Sequence, residues 1–329
     1  MPPWTARRST RTWSKSSSMT LENYLIGKGL STSTVKHYTK HTMDFLAWLD
    51  GQNIEPENVI SSDVMAYMNR LKRKGLANFT RSIHLIVLKH FFDYQIEHGH
   101  RESNPTQHIK IRGSKQRHLY PILKPHELES LYQDYEVPDE DDPRKNRNWF
   151  EYYRLSRQRN KTILGLMIWQ GLTTPEINGL SMKDVKLREG KIYIAGSRKS
   201  AERTLELKPQ QIMELMEYQL TTRAELLKLC EEENQHYYIT APQAGQKTAK
   251  GGNALNLWKR LSQEIKRQHP EFINFKQVRT SVITHWLSQH NLRKVQYMAG
   301  HKYVSTTEGY LVNQTEDLQK DIEQFHPIG

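Results

Sequence analysis

Apolar side chains recur at helical spacing through the first hundred residues. Ser31-Thr32-Ser33-Thr34 caps a predicted helix whose apolar face runs Val35, Tyr38, Phe45, Trp48 and Leu49, with Gly51 ending it. Ser61-Ser62-Asp63 opens a second, with Val64, Tyr67, Met68 and Leu71 on one face and Gly75 as its close. A third runs from Thr80 to His98, with Ile83, Val87, Phe91 and Tyr94 inward and Gly99 as its stop. Aromatic residues locked into such stripes are core rather than base-stacking groups.

The pattern breaks at Asn104-Pro105, and the stretch from Ile109 to Leu119 is polar and basic. A helical start returns at Lys124-Pro125-His126-Glu127-Leu128. Residues 138–160 are charge-blocked, acidic first and basic after, and read as a surface insertion. Thr162 to Gly171 is strongly apolar and predicts a core helix. Ile192, Tyr193 and Ile194, then Gly196-Ser197-Arg198-Lys199-Ser200, then Thr204, Leu205 and Leu207 predict a β-hairpin. Helices resume over Gln210–Glu232 and Asn256–Gln268. The fold class that follows is mainly α with a small β-hairpin or sheet, in two domains. Their expected bounds are 19–109 and 121–329, joined by a basic linker at 110–120.

Composition narrows the partners. The chain has 329 residues, a formal charge of +12 and a pI near 9.5, so a polyanion comes first. No run approaches the eighteen apolar residues a membrane span needs. The single Cys230 excludes an internal disulfide framework and a cysteine zinc cluster. No metal-ligand spacing and no cofactor motif stands out, so none is expected. Residues 1–18, basic, Ser- and Thr-rich and without an acid, read either as a disordered basic arm or transit-like leader or as residues upstream of a true start at Met19. Lys72, Arg73, Lys74, Arg81 and Lys89 around the helical stripes, and Lys110, Arg112, Lys115 and Arg117 in the linker, are candidates for contacting duplex phosphates. A solvated face and a plain hinge are the alternatives.

Near the C-terminus, Arg279 stands twenty-two residues before His301, and Tyr310 nine after it. Phosphodiester transfer without a metal needs a nucleophile, cations on the non-bridging oxygens and an acid for the leaving oxygen. Arg suits the oxygens because its planar fork stays charged. A Lys on a hairpin tip suits the leaving group.

Val278-Arg279-Thr280, Thr284-His285-Trp286-Leu287, Met298-Ala299-Gly300-His301 and Ser305-Thr306-Thr307-Glu308-Gly309-Tyr310 together resemble the C-terminal signature of tyrosine recombinases and phage-type integrases. The hairpin is similar to the family's catalytic-lysine hairpin, and the helical module to its core-binding, SAM-like domain. The resemblance implies two domains forming a clamp around DNA. It implies Tyr310 as nucleophile, Arg279 as phosphate clamp, His301 as a donor to the phosphate and Lys199 as leaving-group acid, with Arg198 or Ser197 as competing alignments for that last place. Two departures stand out. The family's Gly-Leu-Arg is Gly171-Leu172-Thr173 here, and the His of His-x-x-Arg is Lys276. Arg198 is the expected replacement for the missing clamp, and Lys276 keeps positive charge where the family has His.

The activity implied is site-specific cleavage and rejoining of DNA through a 3′-phosphotyrosyl link, independent of metal and ATP, for integration, excision or inversion. A homo-tetramer on two paired sites of double-stranded DNA is implied, in the bacterial or mobile-element cytoplasm, nucleoid-associated and without a membrane. The apolar stripe Leu318, Ile322 and Phe325 either docks on a neighbouring subunit or folds back on its own domain. A catalytically impaired DNA-binding regulator on the same fold is the alternative function, and a relaxing topoisomerase with the same chemistry a third. Loss of strand transfer in Tyr310→Phe separates the enzyme from the regulator.

Overall fold

The computed structural model describes residues 15–113, 120–139, 141–228, 236–240 and 252–311, the side chains of 15–20 and 252–255 excepted. The chain divides into two compact units, Met1–His118 and Leu119–Gly329.

The first unit is helical: α1 (Lys15–Gly27), α2 (Thr32–Asp50), α3 (Ser61–Arg73) and α4 (Asn78–Glu97). Ser31 caps α2, its side chain accepting from the Thr34 N–H. Phe45, Leu49, Val64, Tyr67, Met68, Leu71, Phe91 and Phe92 meet in one buried cluster, which is why the stripes run at helical spacing. The Arg101 guanidinium lies over the Phe92 ring and donates to the Pro56 and Val59 carbonyls at 3.0 and 2.8 Å, tying the chain after α4 to the segment before α3. Helix α1 begins at Lys15, within the 1–18 segment, and Leu21 and Leu25 tie it to this cluster. One expectation is corrected here. Arg81 is buried and donates to Asn78 Oδ1 at 2.5 Å, one turn back on α4, so it does not lie on a solvated face. Lys72, Arg73, Lys74, Lys89, Lys110 and Arg112 are exposed, whereas Lys115 and Arg117 lie outside the described residues.

The second unit contains α5 (Pro125–Gln133), α6 (Phe150–Gln170), α7 (Thr174–Gly179), α8 (Pro209–Glu217), α9 (Arg223–Leu227), α10 (Gly252–Gln268), α11 (Phe275–Gln289), α12 (Leu292–Ala299) and α13 (Val304–Glu308). Helix α6 is central, packing on α5 and α11 through Ile163, Leu164, Leu166 and Met167. It starts at Phe150, so the second half of the expected surface insertion is core. Charge misled there because the partners are remote in sequence. Arg157 lies over the Tyr135 ring and donates to the Glu136 carbonyl, while Arg159 donates to the Thr240 carbonyl.

The expected hairpin is the outer part of a three-stranded antiparallel sheet: β1 (Val185–Lys186), β2 (Lys191–Ile194) and β3 (Arg203–Glu206). Ile192 faces Leu205 and Ile194 faces Arg203, and all four are buried. A π-helical turn over Tyr218–Thr222 joins α8 to α9. No helix among the described residues is long and apolar enough to cross a membrane. The stripe Leu318, Ile322 and Phe325 lies outside the described residues.

Candidate active site

Asn274 starts α11, its side chain accepting from the Lys276 and Gln277 N–H groups at 2.9 and 3.1 Å. Val278, Val282 and Ile283 then bury one face. Arg279, one turn in, reaches two helix ends. One of its Nη groups donates to the carbonyl of Gly171, the left-handed cap of α6, and the other to Ala299 at the end of α12, at 2.6 Å. Carbonyls at helix C-termini carry partial negative charge, so the two ends stabilise a buried cation. Gly171 has no room for a side chain: a Cβ would lie 2.9 Å from the Trp286 ring. Burial first, with the Arg203 charge, pushes the Arg279 guanidinium down from its ordinary value, opposed by Glu176 and Tyr310. Arginine stays charged through such a shift.

Helix α12 ends in the left-handed Gly300, and His301 follows. The loop after β2 is stitched to this turn: Ala201 N–H donates to the Gly300 carbonyl at 2.9 Å, and Ser200 forms a bridge with His301. His301 Nδ1 is 2.9 Å from Thr307 Oγ1, and its ring stacks on Tyr310 with centroids 5.5 Å apart. Burial first, then the charges of Arg279 and Arg203, push the imidazole down to about 4, so it is neutral at pH 7. Tyr310 follows α13, half-buried against the cluster of Ile283, Val295 and Ala299.

Arg203, missed by the sequence reading, completes the group. Its Nη1 is 2.7 Å from Glu176 Oε1, and Arg279 is 3.9 Å from Glu176 Oε2. Burial would push the Glu176 carboxyl up, but the Arg203 hydrogen bond and charge, the Thr173 N–H and Arg279 outweigh it and hold it below its usual value. The available signal was phase: in a strand with Leu205 inward, Arg203 two residues earlier shares the buried side.

The structure thus brings Arg279, His301 and Tyr310 together and adds Glu176, Arg203 and Thr307. A second guanidinium at this cluster is that of Arg203. Arg198 and Lys199 lie exposed on the loop between β2 and β3, whose turn is held by Ser197: its Oγ accepts from the Lys199 and Ser200 N–H groups at 3.2 and 3.1 Å. Ser197 is a turn-former there. Lys276 is exposed one turn before Arg279. His285 is engaged elsewhere, with Nε2 2.7 Å from the Leu123 carbonyl. No group of three or more potential metal ligands occurs among the described residues. One partly accessible guanidinium, a neutral imidazole and a phenol lie together here, with the enclosed Arg203 guanidinium behind them, a set of groups whose chemistry suits a tetrahedral anion.

Comparison with known proteins bears on the family and the fold. Residues 20–99 match the phage integrase N-terminal SAM-like domain. The chain is 26% identical over 311 residues to the tyrosine recombinase XerD of Shewanella oneidensis, covering 94% of this chain and 95% of that protein. It is also 26% identical over 303 residues to the tyrosine recombinase XerC of Psychromonas ingrahamii, covering 91% and 92%. In fold it is similar to the XerH site-specific recombinase bound to a palindromic difH substrate, with a TM-score of 0.65 at 19% identity over 92% of this chain and 83% of that one. Residues 148–317, just over half the chain, match the phage integrase family itself, and the protein belongs to that family.

Proposed function

We propose that this protein is a site-specific DNA recombinase that cleaves and rejoins strands through Tyr310. The observation that carries the reading is the neutral His301 ring stacked on the Tyr310 phenol, with the largely buried Arg279 guanidinium anchored on the Ala299 carbonyl two residues before His301. The Tyr310 phenol gives up its proton to solvent, and its oxygen attacks the scissile phosphorus, forming a phosphotyrosyl bond to the 3′ side as the bond to the 5′ oxygen breaks. The 5′ oxygen takes a proton from Lys199 on the exposed loop. Arg279 holds the non-bridging oxygens, and His301, accepting from Thr307 at Nδ1, donates from Nε2 to the same phosphate. Lys276 adds positive charge at the start of α11. Rejoining reverses these steps with an incoming 5′ hydroxyl. One phosphodiester is exchanged for another, so no ATP is required, and side-chain cations take the part a metal would play.

Double-stranded DNA is the substrate. The exposed Lys72, Arg73, Lys74 and Lys89 of the first unit, with Lys110 and Arg112, contact its backbone. Exchange between two duplexes needs four nucleophiles, hence a homo-tetramer on paired sites, in the bacterial cytoplasm. The domain roles are DNA binding for 19–109 and strand transfer for 121–329.

The test is recovery of DNA covalently attached to the protein after denaturing lysis of expressing cells. Attached DNA with wild type and none with Tyr310→Phe is the expected result. No attached DNA from either, with tight non-covalent binding in both, would replace the enzyme with a DNA-binding regulator.

A further inference from the structure

At position 173, where the family has its first arginine, Thr173 serves a different purpose. Its N–H and Oγ1 both donate to Glu176 Oε2 at 2.8 Å, closing the N-terminal cap of α7. Without another cation, the Glu176 carboxylate would face Arg279 alone, 3.9 Å away. It would then neutralise the guanidinium anchored next to the His301 turn.

Arg203 prevents this. It comes from β3, has no side-chain exposure, and meets Glu176 Oε1 at 2.7 Å through Nη1. Its Nε and Nη2 are buried and have no hydrogen-bond partner among the described residues. The Gly300 backbone lies directly over it: a Cβ at Gly300 would collide with the guanidinium, 2.9 Å from its Cζ. The wall is therefore thin enough for the Arg203 charge to act on His301 and Arg279, but closed to a phosphate. A direct clamp from this position is excluded in this arrangement.

We infer that Arg203 is a positioning residue that takes the Glu176 carboxylate onto itself and so keeps Arg279 available to the scissile phosphate, standing in from β3 for the arginine that Thr173 replaces. The inference rests on the proposed recombinase reading. Its physical content is a charge balance. Arg203, Glu176 and Arg279 together carry one net positive charge. Removing Arg203 alone leaves none, and removing Arg203 and Glu176 together restores one.

The test compares wild type with Arg203→Met, Glu176→Gln and the double variant, in the full chain. Glutamine keeps the cap of α7. One readout is covalently attached DNA. The other is the His301 titration by NMR, assigned by substitution of His301. Arg203→Met should lower attached DNA on the order of a hundredfold, and the double variant should return to within about tenfold of wild type. In step, the His301 titration should move up from its value of about 4 in Arg203→Met and fall back in the double, which a packing role would not produce. Wild-type activity in Arg203→Met, an unmoved His301, or a folded double variant as inactive as the single would each overturn the inference. If Arg203→Met fails to fold, the double, which leaves no lone buried charge, decides alone. Absence of attached DNA from wild type would count against the recombinase reading, and the titration would still decide the place of Arg203.

Discussion

Cations in the two units differ in kind. In the first unit, Lys72, Arg73 and Lys74 end α3 exposed to solvent. In the second, Arg203 is buried and Arg279 largely so, 14% of its side chain exposed, and each is held by named groups: Glu176, and the carbonyls of Gly171 and Ala299. An exposed charge keeps its hydration, costs little and is nearly interchangeable with its neighbours. A buried one loses hydration worth several kcal/mol and persists only where its partners replace it. The first kind suits tracking a backbone whose sequence does not matter. The second suits a fixed point where charge develops during reaction.

The sharpest way to break that comparison is Arg279→Ala. Removal of one preorganised donor from a transition state costs roughly 2.7–4 kcal/mol, on the order of 10²–10³ in rate. Attached DNA should fall by that factor while non-covalent DNA affinity changes less than tenfold. An equal loss in both would make Arg279 another tracking cation. Arg279→Lys should recover little, because one ammonium does not satisfy two helix ends and a phosphate together.

Why one kind of cation was legible in sequence and the other was not follows from the same difference. Stripes such as Val64, Tyr67, Met68 and Leu71 are local, so α3 and its exposed basic end can be read from spacing and caps. The triple of Arg279, His301 and Tyr310 was legible because α11 to α13 are short consecutive elements that bring it together. Arg203 was not, since what decides its role is a carboxylate twenty-seven residues away and a glycine on α12. Arg157 and Arg159 were misassigned to the surface for that reason, and Arg81 likewise, its burial being set by α4 against its neighbours. The hairpin was readable, but the short β1 was not: two residues carry no alternation.

An intermediate effect is expected from the exposed set. Replacing Lys72, Arg73 and Lys74 together with Ala should reduce the salt slope of DNA binding by about 0.9 for each phosphate no longer neutralised. Single replacements should lower the slope in roughly equal steps without changing strand transfer by bound protein. A titration of affinity against salt measures this. One of the three accounting for the whole change would show that this surface also holds a fixed phosphate-binding point.

The smallest effect separates the units by their histidines. In the first unit His84 is pushed down to about 4 by burial and then by His41, whose ring is 4.1 Å away. In the second, His301 is pushed to a similar value by burial and then by Arg279 and Arg203. With a folded value near 4 and an ordinary value of 6.5, the unfolded chain binds more protons between these limits. Stability is therefore full above about pH 6.5 and is lost as pH falls towards 4. For His301, which is partly exposed, the loss by pH 5 is about 1 kcal/mol after allowing for screening, or roughly 2–4 °C in Tm. His301→Gln should remove that part of the acid sensitivity and leave the His84 part. Arg279→Ala should raise the His301 titration and leave His84 unmoved, because their charged neighbours belong to different units. A change at both sites would show that burial in a shared unfolding step, rather than local charge, governs them.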